Sequence, residues 1–427
     1  MSQIKDYLAA VDIGTTRTIA LIGRKDKDGL PDILGACVIP TEEGIKRGNV
    51  VNIEITAQSI RSAVEKVMQQ TGLEFTTVIA GISGQNIKSL VNRSFKYIDA
   101  PDNEIRQKDV LDLAADMNKI SLEPGEKILH IIPQNYIVDN EAGIKYPVGI
   151  FGKKLEANFH IIVGQEASVK NVEKCFNRAG MNVAGMVFTP LASSYSVLTQ
   201  DEKDAGVVMI DFGGGTTSLS IYYDSTIRHT AVIPFGGNVL TNDIKEGCSI
   251  LPRQAESLKT QYGSAMGDLA DENKIVSIPG ISGRKPREIS FKNLAFIIQA
   301  RMEELIEIIS KEIESSGIAS KLSAGIVITG GGAMLSKLPD LISLHTGMDV
   351  RIGYPVEKTS KTIKEEFNKT SMAAGIGLLL HGFEKNIGFE EFISEEEKTL
   401  EEEQPKKGLF GLWGKKLKGM IDEEGVS

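Results

Sequence analysis

The sequence is poor in cysteine and proline, and it has no long apolar run. Its three cysteines, Cys37, Cys175 and Cys248, are too few and too far apart for a disulfide framework or a zinc site, so we expect free thiols in a reducing compartment. No apolar run approaches the ~20 residues that span a bilayer. The first residues also lack the apolar stretch of a signal peptide. These absences favour a cytoplasmic protein.

Basic charge is also scarce, whereas glycine is abundant. The net charge is −9, and a general nucleic-acid-binding protein needs a basic face, so we expect no nucleic-acid partner. The apolar and charged fractions, 41% and 25%, are those of a soluble globular chain, and 427 residues predict about three domain-sized units. There are 43 glycines and only 14 prolines, which favours tight backbone turns near a ligand over linkers.

Two segments, Asp12–Thr18 and Asp211–Thr217, repeat one design. Each places an aspartate at the end of an apolar strand and a glycine two positions later, before a small polar turn into a second strand. Glycine lets backbone N–H groups approach phosphate oxygens closely, and hydroxyl groups add donors. Because aspartates would repel phosphate, we expect them to hold a hydrated Mg²⁺. The alternative is a pair of hairpins whose glycines only permit positive φ. The candidate phosphate and metal residues are Asp12, Gly14, Thr15, Thr16, Asp211, Gly213, Gly214, Gly215 and Thr216.

A third glycine cluster, Gly330–Gly332, follows another apolar strand. Such a cluster allows close backbone approach to a planar or phosphate ligand, but a simple turn from strand to helix explains it equally well. None of the three segments is followed by the Lys-Ser/Thr pair of a Walker motif, and none has the spacing of a dinucleotide-binding fingerprint.

Taken together, the three segments resemble the superfamily of two-lobed ATP-binding proteins that includes actin, heat-shock chaperones and sugar kinases. Further stretches between about Ala9 and His381 make the chain similar to the FtsA family of actin-like bacterial cell-division proteins. These stretches are His130–Tyr136, Gly143–Lys145 with Pro147–Gly149, Leu191–Leu198, Arg228–Pro234, Ala324–Gly331 and Val350–Gly353. The resemblance implies an α/β, two-lobed actin-like fold (a duplicated RNase H-like fold) with an inserted α+β subdomain and a C-terminal amphipathic helix.

By this resemblance the cofactor is ATP with Mg²⁺. The two Asp-Gly turns would form the phosphate hairpins, and their aspartates would face the metal, through water. Gly330, Gly331 and Gly332 would pack on the adenosine. Glu256 and Lys259, three positions apart on one predicted helix, would contact ribose and base. A solvent-exposed ion pair between these two side chains is the alternative explanation.

The resemblance also implies a division into subdomains. The insert would be subdomain 1C, which meets neighbouring molecules or other division proteins. The implied boundaries are 1–84 with 164–203 and 363–386 for subdomain 1A, 85–163 for subdomain 1C, 204–237 with 303–362 for subdomain 2A, 238–302 for subdomain 2B, 387–404 for an acidic linker, and 405–427 for a membrane-targeting tail.

One stretch departs from the superfamily pattern. In its active members, a Glu, Gln or Asp in or before the first interdomain helix positions the attacking water. The corresponding stretch here, Val187–Ser193, has no carboxylate or amide side chain. We therefore expect ATP binding with weak or no hydrolysis, and we assign no catalytic residue.

The last segment has the pattern of a helix that lies on a membrane. After eight glutamates and one lysine in 389–404, the chain carries five lysines and no acid in 405–421. On a helix the apolar residues would form one face, with lysines on the opposite face, as in membrane-interface helices. A helix docked on the protein's own core is the alternative. The proposed membrane-binding residues are Leu409, Phe410, Trp413, Lys415, Leu417, Lys418 and Ile421.

We therefore expect an actin-like, ATP-binding cell-division protein that self-associates and tethers the division machinery to the inner face of the cell membrane at the division site. By resemblance, its partner is the tubulin-like FtsZ, docking on 238–302. Two ATPases of the same fold remain as alternatives. A sugar kinase would show substrate-dependent ATPase activity, and a chaperone-like ATPase would need a peptide-binding domain, for which the sequence offers no candidate.

Overall fold

The computed structural model describes residues 7–387, apart from 27–29, 42, 281–284, 356–366 and 386. Within this range the chain forms two lobes, each built on a five-stranded mixed sheet, and an inserted α+β subdomain. The acidic linker beyond Ile387 and the whole C-terminal tail lie outside the described residues, so the membrane helix stays a prediction.

The secondary structure alternates strands and helices along most of the chain. The strands are β1 (Tyr7–Ile13), β2 (Arg17–Lys25), β3 (Pro31–Pro40), β4 (Ile45–Lys46), β5 (Asn49–Val50), β6 (Thr77–Ile82), β7 (Lys88–Tyr97), β8 (Glu126–Val138), β9 (Glu141–Ile144), β10 (Lys154–Gln165), β11 (Asn182–Phe188), β12 (Val207–Phe212), β13 (Thr217–Tyr223), β14 (Thr226–Ile233), β15 (Ile275–Ile278), β16 (Arg287–Ser290), β17 (Ile326–Thr329) and β18 (Val350–Ile352). The helices are α1 (Ile53–Thr71), α2 (Gln107–Asp116), α3 (Glu166–Arg178), α4 (Thr189–Val197), α5 (Gln200–Ala205), α6 (Gly237–Cys248), α7 (Pro252–Tyr262), α8 (Phe291–Ser315), α9 (Leu338–Thr346) and α10 (Ala373–Lys385).

The sheets of the two lobes have the same topology. In the first lobe the strand order is β3-β2-β1-β6-β11, with three consecutive antiparallel strands and then two strands parallel to β1. In the second lobe the order is β14-β13-β12-β17-β18, again with three antiparallel and two parallel strands. The repeated design seen in the sequence is therefore a duplicated fold, and it places each Asp-Gly turn at the same point of its sheet.

Helices cover both faces of each sheet, which explains the continuous apolar runs in the central strands. Leu8–Val11 in β1 and Val207–Ile210 in β12 are buried at every position, as expected of strands with two covered faces. The helix α1 illustrates how the sequence sets the boundaries. It begins where the Asn52 side chain accepts a hydrogen bond from the Ile55 N–H, and it ends at Gly72, whose φ of 68° suits glycine.

A pair of helices joins the lobes. α10 packs on the first sheet and α4 contacts β12 and β13 of the second. The two helices cross so closely that a Cβ atom on Gly377 would overlap the carbonyl oxygen of Ala192. The Ser196 hydroxyl donates a hydrogen bond to the Ala373 carbonyl oxygen at 2.7 Å, which fixes the crossing. A larger residue at 377 would force the helices apart.

The insert is a four-stranded antiparallel sheet of order β7-β10-β8-β9, with α2 packed on one face. Its own core includes Ile105, Leu113, Leu155, Phe159 and Ile161. An independent core of this kind is typical of a subdomain.

Two elements have a form that the local sequence does not specify. Although Pro133 lies within it, β8 is one continuous strand, because a bulge accommodates the proline and the pairing with β10 continues beyond it. The glycine cluster leads first into a 3₁₀ turn, Gly331–Met334, and the helix α9 begins only at Leu338.

Candidate functional site

The two Asp-Gly turns have the same internal geometry. In the first, the Gly14 N–H donates to the Arg17 carbonyl oxygen at 2.9 Å. In the second, the Gly213 N–H donates to the Thr216 carbonyl oxygen at 3.0 Å. Both turns close the hairpin between the first two strands of their sheet, β1–β2 and β12–β13. The hairpins predicted from the sequence are confirmed.

The tips of the two turns meet between the lobes. A Cβ atom on Gly214 would overlap the Thr16 side chain, and a Cβ atom on Gly215 would overlap Thr15. Neither Gly214 nor Gly215 has φ in the left-handed region, so backbone conformation does not require glycine at these positions. The close approach of the opposite turn does. The space that remains, which we call the interlobe cleft, is a cavity of about 80 Å³. Its lining includes Asp12, Gly14, Thr15, Thr16, Arg17, Thr189, Asp211, Gly213, Gly214, Gly215, Thr216, Gly330, Thr370 and Ser371.

Two carboxylates and one guanidinium share the cleft. Burial and, next, the neighbouring Asp211 raise the pKa of Asp12 to about 6, against the opposing effect of Arg17. Burial also raises the pKa of Asp211, while a hydrogen bond from Ser193 and the charge of Arg17 lower it. Burial lowers the pKa of Arg17, and the two aspartates oppose this effect. A bound cation could therefore neutralise the two carboxylates further, and a bound anion could do the same for Arg17.

The start of α4 contributes hydroxyl groups to both aspartates. Thr189 Oγ1 donates to Asp12 Oδ1 at 3.4 Å, and Ser193 Oγ donates to Asp211 Oδ2 at 2.7 Å. Thr189 and Ser193 belong to the stretch Val187–Ser193, which has no carboxylate or amide side chain that could position water. Their hydroxyl groups bind the two aspartates instead.

The third glycine cluster borders the same region. Gly330 has φ of 82°, and a Cβ atom there would overlap the Asp211 carboxylate. A Cβ atom on Gly331 would lie 2.6 Å from the Arg17 guanidinium. Gly332 instead lines a neighbouring apolar cavity of about 200 Å³, together with Gly237. The other apolar residues of this cavity include Phe212, Phe235, Val239, Leu240, Met302, Leu305, Ile308 and Leu335.

Glu256 and Lys259 do not line the interlobe cleft or the apolar cavity. They form an ion pair at 2.7 Å, and Lys259 Nζ also donates to the Gly237 carbonyl oxygen at 2.9 Å and to Thr241 Oγ1 at 2.8 Å. Thr241 Oγ1 donates to the Glu256 carboxylate. The pair thus fastens α7 to the start of α6, beside a glycine that lines the apolar cavity.

The residues of the cleft fit a magnesium ion bound together with phosphate. Among the described residues, no group of three His, Cys, Asp or Glu side chains could hold a metal alone. Mg²⁺ usually binds through one or two carboxylates, with substrate phosphates and water completing its shell. Asp12 and Asp211, which line the same cleft, supply two such carboxylates.

Sequence reasoning missed several cleft residues. Arg17 follows the first turn directly, and a cation after a phosphate-type turn was a usable signal. Thr370 and Ser371 line the cleft from the segment before α10, and no motif marks them. They reach the site only through the packing of α10 against the first sheet.

Comparison with known proteins identifies the family. A family model described as "Cell division protein FtsA" matches residues 208–377, and one described as "SHS2 domain inserted in FTSA" matches residues 84–163. A Pseudomonas aeruginosa protein named Cell division protein FtsA is 35% identical, over 88% of this chain and 89% of its own. The chain belongs to the FtsA family. An Escherichia coli member is 32% identical over 98% of both chains.

Solved structures confirm the actin-like fold of this FtsA-family chain. The PilM-PilN type IV pilus biogenesis complex matches with a TM-score of 0.64 at 16% identity, covering 88% of this chain and 98% of that one. MreB5 of Spiroplasma citri bound to ADP matches with a TM-score of 0.54 at 12% identity, covering 89% and 97%. In the described part of the chain, no helix combines the length and apolar character needed to cross a membrane. The family finding gives the chain a role in cell division and favours that prediction over the sugar-kinase and chaperone alternatives.

Proposed function

We propose that this chain binds Mg²⁺-ATP between its lobes and that the nucleotide controls its conformation and self-association during cell division. One observation carries the proposal. Two Asp-Gly turns with the same internal geometry, from two sheets of the same topology, meet tip to tip beside Asp12, Arg17 and Asp211. The fold alone would not require glycine, aspartate and threonine at both tips.

The chain's own groups suggest how each part of the nucleotide would be held. Backbone N–H groups of the two turns would bind phosphate oxygens, and Arg17 would add a positive charge. Asp12 and Asp211 would hold the metal through water, and the metal would neutralise phosphate charge. Gly332 and Gly237 border an apolar cavity that suits the planar base. Glu256 and Lys259 would reach the ribose if they exchanged their mutual ion pair for its hydroxyl groups.

Replacing Asp211 with Ala tests the nucleotide site. The second turn would lose its metal-facing carboxylate, and a hydrogen bond or contact to a charged group contributes about 1.5–3 kcal/mol, so Mg²⁺-ATP affinity should fall at least about tenfold. Titration with a fluorescent ATP analogue, in Mg²⁺ and in EDTA, measures this. The matched control is Asp340→Ala, which removes an exposed carboxylate of α9. Equal affinities of wild type and Asp211→Ala in Mg²⁺ would contradict the assigned role.

We also propose that the chain links FtsZ to the membrane. FtsZ would dock on 238–302, where the described surface exposes Leu269, Ile275 and Phe296. The residues from 405 onward would bind lipid, and further division proteins would bind the insert. The test is co-sedimentation with lipid vesicles, with and without ATP and FtsZ. FtsZ should sediment with vesicles only when this chain is present and its tail is intact. FtsZ that stays in the supernatant while the full chain sediments would contradict the tether.

A further inference from the structure

The insert belongs to the first lobe by connectivity, but one of its faces contacts the second lobe. The chain leaves the first sheet after β6 and returns through β10 into α3. Nevertheless, the Ser89 hydroxyl donates to the Thr230 carbonyl oxygen at 3.1 Å, and the Gln134 side-chain amide donates to the Ile227 carbonyl oxygen at 2.8 Å. Both acceptors lie on β14, the edge strand of the second sheet. The insert therefore bridges the two lobes.

Two more pairs complete this bridge. His160 Nε2 and Thr230 Oγ1 lie 3.2 Å apart, and both side chains are buried. Lys145 Nζ lies 2.7 Å from Asp224 Oδ1 in the turn before β14, and both of these side chains are about half exposed. Exposed ion pairs contribute little, so the three hydrogen-bonded contacts, which are buried or partly buried, account for most of the interaction.

A bulge in β8 directs one of these side chains. Asn135 pairs with Asn158 and Pro133 pairs with Phe159, so Gln134 is an extra residue without a partner in β10. Bulges commonly redirect a side chain at the cost of a local break in pairing. Here the bulge redirects Gln134, whose side-chain amide donates to the Ile227 carbonyl oxygen on β14.

The same strand also contacts the first lobe next to the cleft. His130 Nε2 accepts a hydrogen bond from the Phe188 N–H at 2.9 Å. Phe188 immediately precedes Thr189, whose hydroxyl donates to Asp12. His130 and Gln134, four residues apart on β8, therefore contact β11 of the first lobe and β14 of the second.

On the second-lobe side, the chain after β14 is hydrogen-bonded to the second Asp-Gly turn. β14 ends at Ile233, and the Gly237 N–H three residues beyond Pro234 donates to the Gly213 carbonyl oxygen at 2.9 Å. The Asn238 N–H donates to the Gly214 carbonyl oxygen at 2.8 Å. Thr230 is thus separated from the second Asp-Gly turn by only about 20 Å of extended chain.

The lobes are closed in this structure. The turn tips are in contact, so nucleotide exchange between them requires the lobes to move apart, whereas a nucleotide that contacts both turns favours their approach. Moving apart draws β14 away from the first lobe, to which β8 is bonded through His130, and so opposes the contact between β8 and β14.

We infer that β8 of the insert couples the interlobe cleft to the insert, by holding β14 when the lobes are closed and releasing it when they open. The inference rests on the proposed nucleotide binding. A nucleotide that favours closed lobes stabilises the contact between the insert and β14. By the reciprocity of linked equilibria, a protein that binds the insert and alters this contact also alters nucleotide affinity.

The test breaks the bridge without changing the cleft. In the full chain carrying Ser89→Ala and Gln134→Leu, closed lobes lose two hydrogen bonds, so a fluorescent ATP analogue should dissociate about tenfold faster. The matched control is Lys96→Ala, which breaks ion pairs with Asp109 and Asp112 inside the insert and leaves β14 untouched. The control should release nucleotide at the wild-type rate.

The outcomes separate the coupling from simpler explanations. If the insert only covers an open sheet edge, the double variant will lose thermal stability but release nucleotide at the wild-type rate, which overturns the inference. The same result for the control as for the double variant also overturns it. A wild-type chain that binds no nucleotide overturns the proposed function, and this inference with it.

Hydrogen exchange provides a second measurement, made on the wild-type chain and on the double variant. Adding Mg²⁺ and ATP to the wild-type chain should slow amide exchange in β8 and β14, on both sides of the bridge. In the double variant, protection should remain at the two turns but be lost from β8. Protection confined to the turns in the wild type would contradict the coupling.

Discussion

Three ionisable side chains, Asp12, Arg17 and Asp211, lie together where the two turns meet. Burial opposes ionisation of all three, and Arg17 only partly offsets the repulsion between the aspartates. Two buried carboxylates that share one counter-charge make the ligand-free protein less stable than a neutral pair would. Uncompensated charge of this kind is common at functional sites, where a bound ligand supplies the opposite charge.

The first prediction concerns the pH dependence of stability without ligand. The pKa of Asp12 is raised from 3.8 to about 6, so the folded protein holds this proton more tightly than the unfolded chain. The contribution of Asp12 to stability is therefore greatest below about pH 4 and is lost as the pH rises through 6. Asp12→Asn removes this dependence. In EDTA, its free energy of unfolding should exceed that of wild type by about 2 kcal/mol at pH 7 and by much less at pH 4.

Urea unfolding across this pH range measures the difference. Asp340→Asn, an exposed carboxylate paired with Lys337, is the control and should show no such growth with pH. A constant difference between Asp12→Asn and wild type from pH 4 to 7 would mean that folding does not raise the pKa of Asp12. Asp12→Asn should also lose the Mg²⁺-dependent part of ATP affinity. A single substitution would then increase stability and weaken nucleotide binding.

A second residue-scale prediction concerns the contact between the turn tips. Gly214→Ala places a methyl group where the Thr16 side chain lies, so the lobes cannot close fully. Nucleotide affinity should fall at least about tenfold, since overpacking commonly costs 1–3 kcal/mol. Adding Thr16→Ala removes the opposing atoms and should restore part of the affinity, as a double-mutant cycle would reveal. If the double variant binds no better than Gly214→Ala alone, the two tips do not constrain each other.

At the scale of elements, the central strands β1 and β12 could be predicted because they are short, continuous apolar runs that end at turn residues. The hairpin turns could be predicted too, since aspartate and glycine mark them in the sequence. β8 was harder, because Pro133 normally ends a strand and only the bulge opposite Asn158 and Phe159 allows pairing to continue. The 3₁₀ turn at Gly331 was missed because glycine marks a turn without specifying its type.

The candidate site was predictable only in part. Local motifs revealed the two turns, and the structure brings them together. Arg17 had a usable signal in its place directly after the first turn, whereas Ser193 belongs to no motif, and its hydrogen bond to Asp211 became visible only in the folded chain. For Glu256 and Lys259 the sequence does not distinguish two roles, because the same spacing suits an ion pair and a ribose contact. The structure shows the ion pair.

The third prediction concerns α4 and turnover. α4 directs the hydroxyl groups of Thr189 and Ser193 at the aspartates, and its described part carries no carboxylate or amide that could position water. We expect ATP turnover near the slow rates of nucleotide switches that lack an activating group, far below the 1–100 per second, roughly, of kinases. Phosphate release measured with and without sugars checks this. Rapid, sugar-stimulated turnover would favour the kinase alternative.

At the scale of the whole molecule, the two lobes share one interlobe cleft, and each chain carries one tail. The prediction is that removing the residues from Lys406 onward leaves ATP binding intact and abolishes attachment to lipid vesicles. Apolar contacts from Phe410, Trp413 and Leu417 would supply most of the binding, and each lysine near an anionic surface adds about 1 kcal/mol. Trp413→Glu should behave like the deletion, because it places a charge on the apolar face.

Lys415→Ala should weaken attachment chiefly to anionic vesicles, and less at high salt, where the electrostatic part is already screened. Because four glycines between 408 and 419 disfavour a helix in water, each at about 1 kcal/mol, a single tail should bind only moderately. Self-association then strengthens attachment, since every further tail binds at high local concentration. Attachment should therefore rise steeply with protein concentration in ATP, and less steeply in Gly214→Ala, which cannot close its lobes.

Trp413 is the only tryptophan, so its fluorescence emission reports the attachment of the tail to lipid directly. A blue shift on adding vesicles supports the membrane tether, whereas emission that is already blue and protected from quenchers without lipid would mean that the tail is docked on protein.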